Sequence, residues 1–337
     1  MRKLLVTGGA GFIGSNFIRM VLAEHNDCFV VNLDKLTYAG NLENLAGLEN
    51  HPNHKFVRGD ICDGPLVDKL IDQYKIDAIV NFAAESHVDR SITEPKIFIE
   101  TNVTGTLTLL EAAREKKLER FVQISTDEVY GSLGPQGKFT EQTPLSPNSP
   151  YSASKTAADH LVKAFGHTWG LRFNITRCSN NYGEYQFPEK MIPLMINNAL
   201  NDKELPVYGD GLNVRDWLYV YDHCTAIWKV LTQAQPGEIY NIGGCNEKTN
   251  LEVVGLILNQ LKKPKSLIKY VKDRPGHDRR YAIDAGRIMN ELGWQPSVSF
   301  DEGIVKTINW YLQNQKWLRN VVSGEYQKYY EAMYSNR

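Results

Sequence analysis

Short apolar runs at residues 3–7, 29–34, 55–59, 78–82 and 121–125 alternate with stretches of helix length through the first half of the chain. This is the rhythm of a parallel sheet covered by helices. Between the fourth and fifth runs, Ile97, Val103, Leu107, Leu110 and Ala113 recur at helical spacing within residues 94–117. As one helix the segment is roughly 35 Å long. That length permits one stripe on the sheet and a second on a partner subunit, with packing inside one chain as the alternative. After about residue 178 the rhythm weakens, and Pro188, Pro193, Pro206, Pro236, Pro264, Pro275 and Pro296 separate shorter elements. Residues 217–230 and 238–242 then resume strand and helix patterns. The expected organisation is a doubly wound parallel α/β domain over 1–178, regained at about 217–243, with a smaller α/β domain from 179–216 and 244–320.

Composition narrows the class without changing that picture. A chain of 337 residues suggests two domains and a sizeable core. With 38 Lys plus Arg against 39 Asp plus Glu, its formal net charge is -1, which speaks against nucleic-acid or polybasic membrane partners. No run approaches the roughly 18 apolar residues of a membrane span, and Arg2-Lys3 leads straight into the first apolar run without a signal-peptide core. The expectation is a soluble, intracellular, cytoplasmic protein. Cys28, Cys62, Cys178, Cys224 and Cys245 lie far apart with no CxxC pair, the pattern of reduced thiols. His51 and His54 flank Pro52-Asn53 in a polar loop without further ligands, so no metal site is expected.

Immediately after the first apolar run, Gly8, Gly11 and Gly14 stand three apart at the start of a helix pattern. Gly8 permits a tight turn, Gly11 lets a pyrophosphate approach the backbone, and Gly14 lets the helix sit closely on the sheet. Phe12 and Ile13 open that helix, whose unpaired N–H groups favour an anion. Asp34 follows Gly14 by 20 residues at the end of the second run, where a carboxylate accepts hydrogen bonds from a ribose diol. It also repels a 2'-phosphate, so NAD is expected over NADP, although Lys35 is a neighbouring cation. Asp60-Ile61 and Ala83-Ala84 fall at carboxyl ends of strands, where such Rossmann-type sheets hold their ligands.

Ser149-Pro150 is an N-cap followed by proline at the first helical position, which predicts a helix starting just before Tyr151. Tyr151 and Lys155 then share a face. A phenol of pKa near 10 is a poor base. A cation at about 4 Å, with an effective dielectric near 20, is worth roughly 4 kcal/mol, so Lys155 is expected to lower the Tyr151 pKa.

A glycine turn followed, beyond the fifth strand, by Tyr-x-x-x-Lys resembles the extended branch of the short-chain dehydrogenase/reductase superfamily, which acts on nucleotide sugars. The resemblance implies that Lys155 also bonds the nicotinamide ribose and that Thr126 shares a substrate hydroxyl with Tyr151. Asp127 and Glu128 follow directly. A sugar oxidation needs neither, but a C4 ketone acidifies the proton on C5. A carboxylate can then remove that proton while a carboxylic acid protonates the departing C6 hydroxyl.

The run Ser125-Thr126-Asp127-Glu128-Val129-Tyr130-Gly131 is similar to the signature of the dTDP-glucose 4,6-dehydratase family, in which Asp is the acid and Glu the base. Further matching runs begin at Asp34, Ala83, Ser179, Arg215 and Asp273, so that the likeness covers residue 1 to about 314. The tail beyond Lys316 is assigned nothing. The resemblance implies NAD contacts also at Leu36, Thr37, Ser86, Thr101 and Asn181. For dTDP-glucose it implies Ser86, His87, Thr126, Asn180, Lys190, Met191, Pro206, Val207, Tyr208, Arg215, Asn250, Arg274 and His277, and it implies a homodimer through the helices near 94–117 and 151–169. A 4-epimerase, which has no use for Asp127 and Glu128, remains a rival. So do a dehydratase of a GDP-, CDP- or UDP-linked sugar and a non-catalytic NAD sensor on the same fold.

Overall fold

In the computed structural model, the described residues are 2–273 and 277–323. The strands are β1 (Arg2–Thr7), β2 (Cys28–Asp34), β3 (His54–Arg58), β4 (Ala78–Asn81), β5 (Arg120–Thr126), β6 (Phe173–Cys178), β7 (Asn180–Tyr182), β8 (Leu205–Tyr208), β9 (Val214–Tyr219), β10 (Ile239–Ile242), β11 (Glu247–Thr249) and β12 (Ile268–Val271). Seven of them form one sheet in the order β3-β2-β1-β4-β5-β6-β10, with every neighbouring pair parallel. The five apolar runs of the first half are β1 to β5, each within a residue or so of its expected limits.

Both faces of this sheet are covered, which is why its strands read as continuous apolar runs. Successive side chains point to opposite faces. Leu4, Val6, Val30, Val80 and Val122 pack under the helices Phe12–Glu24 and Val220–Gln233. Leu5, Val31, Leu33, Ile79 and Phe121 pack under Gly64–Tyr74, Thr106–Glu115 and Pro150–Trp169. The result is a doubly wound Rossmann-type layer.

The segment 94–117 is helical but not one α-helix. A turn at Pro95–Phe98 and the helix Thr106–Glu115 are joined by a wider π-helical stretch, Ile99–Gly105. Tertiary contacts explain the wide turn. The Asn102 amide donates to Glu85 O and Ser154 Oγ, at 3.0 and 2.8 Å. A Cβ on Gly105 would lie 2.4 Å from Ile61. Such π-bulges recur at functional sites.

A second lobe is built on two small sheets. In one, β9 pairs with β7 and β11, and in the other β8 pairs with β12. Its core joins Tyr182, Ile196, Trp217, Val254, Phe300, Ile308 and Tyr311. Trp217 and Tyr219 of β9 pack in this lobe while Leu218 packs in the core of the large sheet, which the chain rejoins with the helix Val220–Gln233 and β10. Among the described residues, no helix is long and apolar enough to cross a membrane.

Candidate active site

A cleft of about 290 Å³ opens at the carboxyl ends of the central strands, where β1 and β4 mark the reversal of strand order. Into it come Gly8, Gly11, Phe12, Ile13 and Gly14 from the first turn, and Asp34, Lys35 and Thr37 from the end of β2. Asp60 and Ile61 follow β3, Ala83, Ala84 and Ser86 follow β4, and Thr101 comes from the π-helical stretch. Thr126, Asp127, Glu128, Tyr151, Lys155, Asn180, Asn181 and Lys190 complete the set brought together from the sequence.

Other expected residues lie outside this lining. Leu36 takes φ +57° and turns its N–H onto Asp34 Oδ1 at 2.8 Å. Val207 is packed in the core of the second lobe. Its neighbour Tyr208 donates to Asp89 Oδ2 at 3.0 Å and meets the His277 ring edge-on at 6.1 Å. Arg215 donates to the Val214 and Asp278 carbonyls and lies over the Tyr281 ring. His87 Nε2 is 3.9 Å from Glu189. Met191 begins the helix Met191–Leu200, Pro206 lies in β8, and Asn250 begins the helix Asn250–Gln260. Arg274 is outside the described residues.

The end of the cleft next to Asp34 has the donors and acceptors a dinucleotide needs. Gly8 has φ +68°, and a Cβ there would meet Ala83 N at 2.6 Å, while one on Gly14 would meet Gly8 O at 2.3 Å. No side chain therefore fits either place. Gly11 caps the helix Phe12–Glu24 without a side-chain hydrogen bond, so the first N–H groups are directed at the cleft. The Asp34 carboxylate is oriented by the Ala10 and Leu36 N–H groups, at 2.9 and 2.8 Å, with lone pairs to spare for a diol. Lys35 is taken up by Asp60 at 2.6 Å, so the cation that weakened the expected preference for NAD is already engaged. These residues fit NAD.

The other end is dry. Ser149 caps the helix Pro150–Trp169 with Pro150 in its first turn, as the sequence predicts, and Tyr151 and Lys155 are both buried. The expected lowering of the Tyr151 pKa does not appear. Burial pushes the phenol well above its usual value, the Glu128 and Cys178 charges add to this, and only a Thr126 hydrogen bond opposes it. Lys155 instead donates to Ile124 O at 2.7 Å, and burial lowers its own pKa against the attraction of Asp159 and Cys178.

Thr126 organises the acids. Its Oγ1 accepts the Glu128 N–H at 3.2 Å and donates to Asp127 Oδ1 at 3.3 Å, so that residues 127–130 wind into a short 3-10 turn. Asp127 is 2% exposed. Burial drives its carboxyl well above the usual range, and the charges of Glu128 and Asp216 push the same way. Arg215 and the Thr126 hydrogen bond oppose the shift, and the net effect is a carboxyl that keeps its proton to higher pH than an exposed one.

Sequence reasoning passed over Cys178, Gln186 and the acids Glu85 and Glu189, all of which line the cleft. Burial raises the Glu189 carboxyl to about 7, against Lys190 and a Tyr38 hydrogen bond. The available signal was adjacency: Glu85 lies inside the run beginning at Ala83, and Glu189 precedes Lys190.

A family model described as GDP-mannose 4,6 dehydratase matches residues 5–307. A dTDP-glucose 4,6-dehydratase of Xanthomonas campestris pv. campestris (strain B100) is 56% identical over 97% of each chain. A crystal structure of a dTDP-glucose 4,6-dehydratase from Streptomyces venezuelae, with NAD and TYD bound, superposes with a TM-score of 0.92 at 51% identity, covering 95% of this chain and 99% of that one. A UDP-glucose 4-epimerase from Thermotoga maritima shares the fold at 28% identity, with a TM-score of 0.87 over 93% of this chain and 99% of that one.

Proposed function

We infer the activity from one premise, that this chain belongs to the dTDP-glucose 4,6-dehydratase family of the extended short-chain dehydrogenases/reductases. It is an NAD-dependent lyase that converts dTDP-glucose to dTDP-4-keto-6-deoxyglucose and water. NAD, when bound, supplies the acceptor for the hydride of C4 and later the donor of that hydride to C6. Tyr151 would take the C4 hydroxyl proton as a phenolate, a form that the positive charges of Lys155 and of bound NAD+ would favour against the burial that raises its pKa, with Thr126 sharing that hydroxyl. Glu128 removes the proton from C5, Asp127 protonates the C6 hydroxyl as it leaves as water, and C5 is reprotonated when the hydride reaches C6. Asn180 and Lys190 contact the sugar from the same cleft. Met191, the β8 residues Pro206 and Tyr208, and Arg215, Asn250, Arg274 and His277 serve the nucleotide diphosphate.

One observation carries this reading: Asp127, whose carboxyl burial pushes well up, and Glu128 stand on one turn beside Tyr151. A 4-epimerase has no step for that couple. GDP-mannose, in the family model's description, differs from dTDP-glucose in the nucleotide and in the configuration at C2 of the sugar, and the 56% identical relative is a dTDP-glucose enzyme. The test is incubation of the purified protein with dTDP-glucose. A 4-keto-6-deoxy product without net accumulation of NADH is expected, and formation of the C4 epimer alone overturns the proposal.

The protein is further proposed to work as a homodimer in the cytoplasm. Supporting the first are the exposed Ile92, Ile99 and Trp169 on or beside the helices expected at the interface, and supporting the second are five cysteines without a disulfide.

A further inference from the structure

The glycine turn is held from a part of the chain to which the sequence assigned nothing. Ala10 sits between Gly8 and Gly11, and both ends of its backbone are pinned. Its N–H donates to Asp34, and its carbonyl accepts from Asn41 N at 3.0 Å and from Asn44 Nδ2 at 2.9 Å. Asn44 is 1% exposed, and its other amide atom, Oδ1, accepts the indole N–H of Trp317 at 2.8 Å. Trp317 lies in the last described helix, Gln315–Val321, 273 residues away along the chain.

A side-chain amide can turn by half a rotation and exchange its donor and acceptor at almost no cost in shape. The indole N–H is a donor only, so it admits one of the two orientations. In that orientation Nδ2 must face Ala10 O. With the indole absent, the reversed amide would present an oxygen to a carbonyl oxygen, and the turn would lose a buried hydrogen bond.

We propose that Trp317 is a positioning residue for the dinucleotide site, acting through Asn44 on the Ala10 carbonyl to keep the glycine turn in the shape that receives NAD. The inference rests on the proposed NAD site and extends it to a remote helix. A turn already held in the bound shape loses less freedom when the ligand arrives, so its release is slowed. A second contact from the same helix, Asn320 Nδ2 to Glu43 Oε1 at 2.7 Å, is exposed and does not touch Asn44 or Ala10. It serves as an internal control.

The experiment measures the dissociation constant and off-rate of NAD by fluorescence for the parent protein and for Trp317→Phe, Asn44→Asp and Asn320→Ala, with melting temperatures alongside. Trp317→Phe removes the donor together with part of the indole's packing against Tyr185, Trp310 and Tyr311, a loss that the melting temperature reads separately. Asn44→Asp keeps the acceptor for Trp317 and replaces the donor to Ala10 with an oxygen. Both are expected to weaken NAD about five- to tenfold, the scale of one buried hydrogen bond, mainly through the off-rate. Asn320→Ala is expected to leave NAD binding unchanged. At saturating NAD, kcat should be preserved in all three. Lower melting temperatures with unaltered NAD affinity in both Trp317→Phe and Asn44→Asp would overturn the inference. Failure of the parent protein itself to bind NAD would overturn the NAD reading instead.

Discussion

Beside Asp34, which is itself buried and whose carboxyl burial pushes up, the Lys35–Asp60 pair reaches water, whereas around Tyr151 both Lys155 and Asp127 are shut away from it. The Lys35 side chain is 58% exposed and pairs with Asp60, while Lys155 is 4% exposed and Asp127 only 2%. Exposed ions cost little to keep, and their pairing contributes little. Buried ones carry a desolvation penalty that moves protons instead. One end thus recognises a ligand with a buried carboxylate steadied by backbone N–H groups and with an exposed ion pair. The other carries the desolvation that raises the pKa of a carboxyl and a phenol and lowers that of an ammonium group.

Replacing a side chain at the dry end should therefore cost far more activity than replacing one at the wet end. Tyr151→Phe is expected to lower C4 oxidation about 10²- to 10⁴-fold, read as reduction of bound nicotinamide in a single turnover. Asp127→Asn combined with Glu128→Gln should stall the loss of water to a similar degree while C4 oxidation stays measurable. Equal loss of both steps would mean that the acids and Tyr151 do not divide the work.

The buried acid also has a stability signature. In the unfolded chain Asp127 ionises near its ordinary value of about 3.9. In the native protein burial and the neighbouring Glu128 and Asp216 keep its proton to higher pH. The native state then binds more protons than the unfolded one above that value, so stability falls as pH rises through the interval. Asparagine has no proton to lose. Asp127→Asn should accordingly gain melting temperature relative to the parent as pH is raised from about 4 to neutral, and a constant difference across pH would contradict the burial account.

At the wet end, Lys35→Ala is expected to change the dissociation constant of NAD less than about fivefold, because it breaks an exposed pair. A larger loss would erase the contrast between the two ends.

The legibility of the molecule follows the same division. Strands β1 to β5 could be read because a strand buried on both faces has to be apolar throughout, and that mark is local. The glycine turn and the cap at Ser149 were equally plain, since backbone geometry restricts which residues fit there. The π-helical stretch at Ile99–Gly105 was not, because what widens it is Asn102 reaching Glu85 and Ser154, contacts made only in the folded chain. The Tyr151 pKa went the opposite way from the expectation for a related reason. Spacing reveals that a lysine shares the helix face, but it does not reveal that Lys155 turns to Ile124 O or how completely the phenol is buried.

From residue order alone come the doubly wound sheet, the dinucleotide turn, the tyrosine and lysine one helical turn apart, and the pair of acids behind β5. Each is short in range, so neighbouring residues suffice to specify it. Only the tertiary structure decided that burial pushes the Asp127 carboxyl upward, that Lys35 is occupied by Asp60, and that Trp317 lies against Asn44 beneath the glycine turn. Those outcomes depend on which distant atoms exclude water from a group or complete its hydrogen bonds, and a linear order of residues does not carry that information.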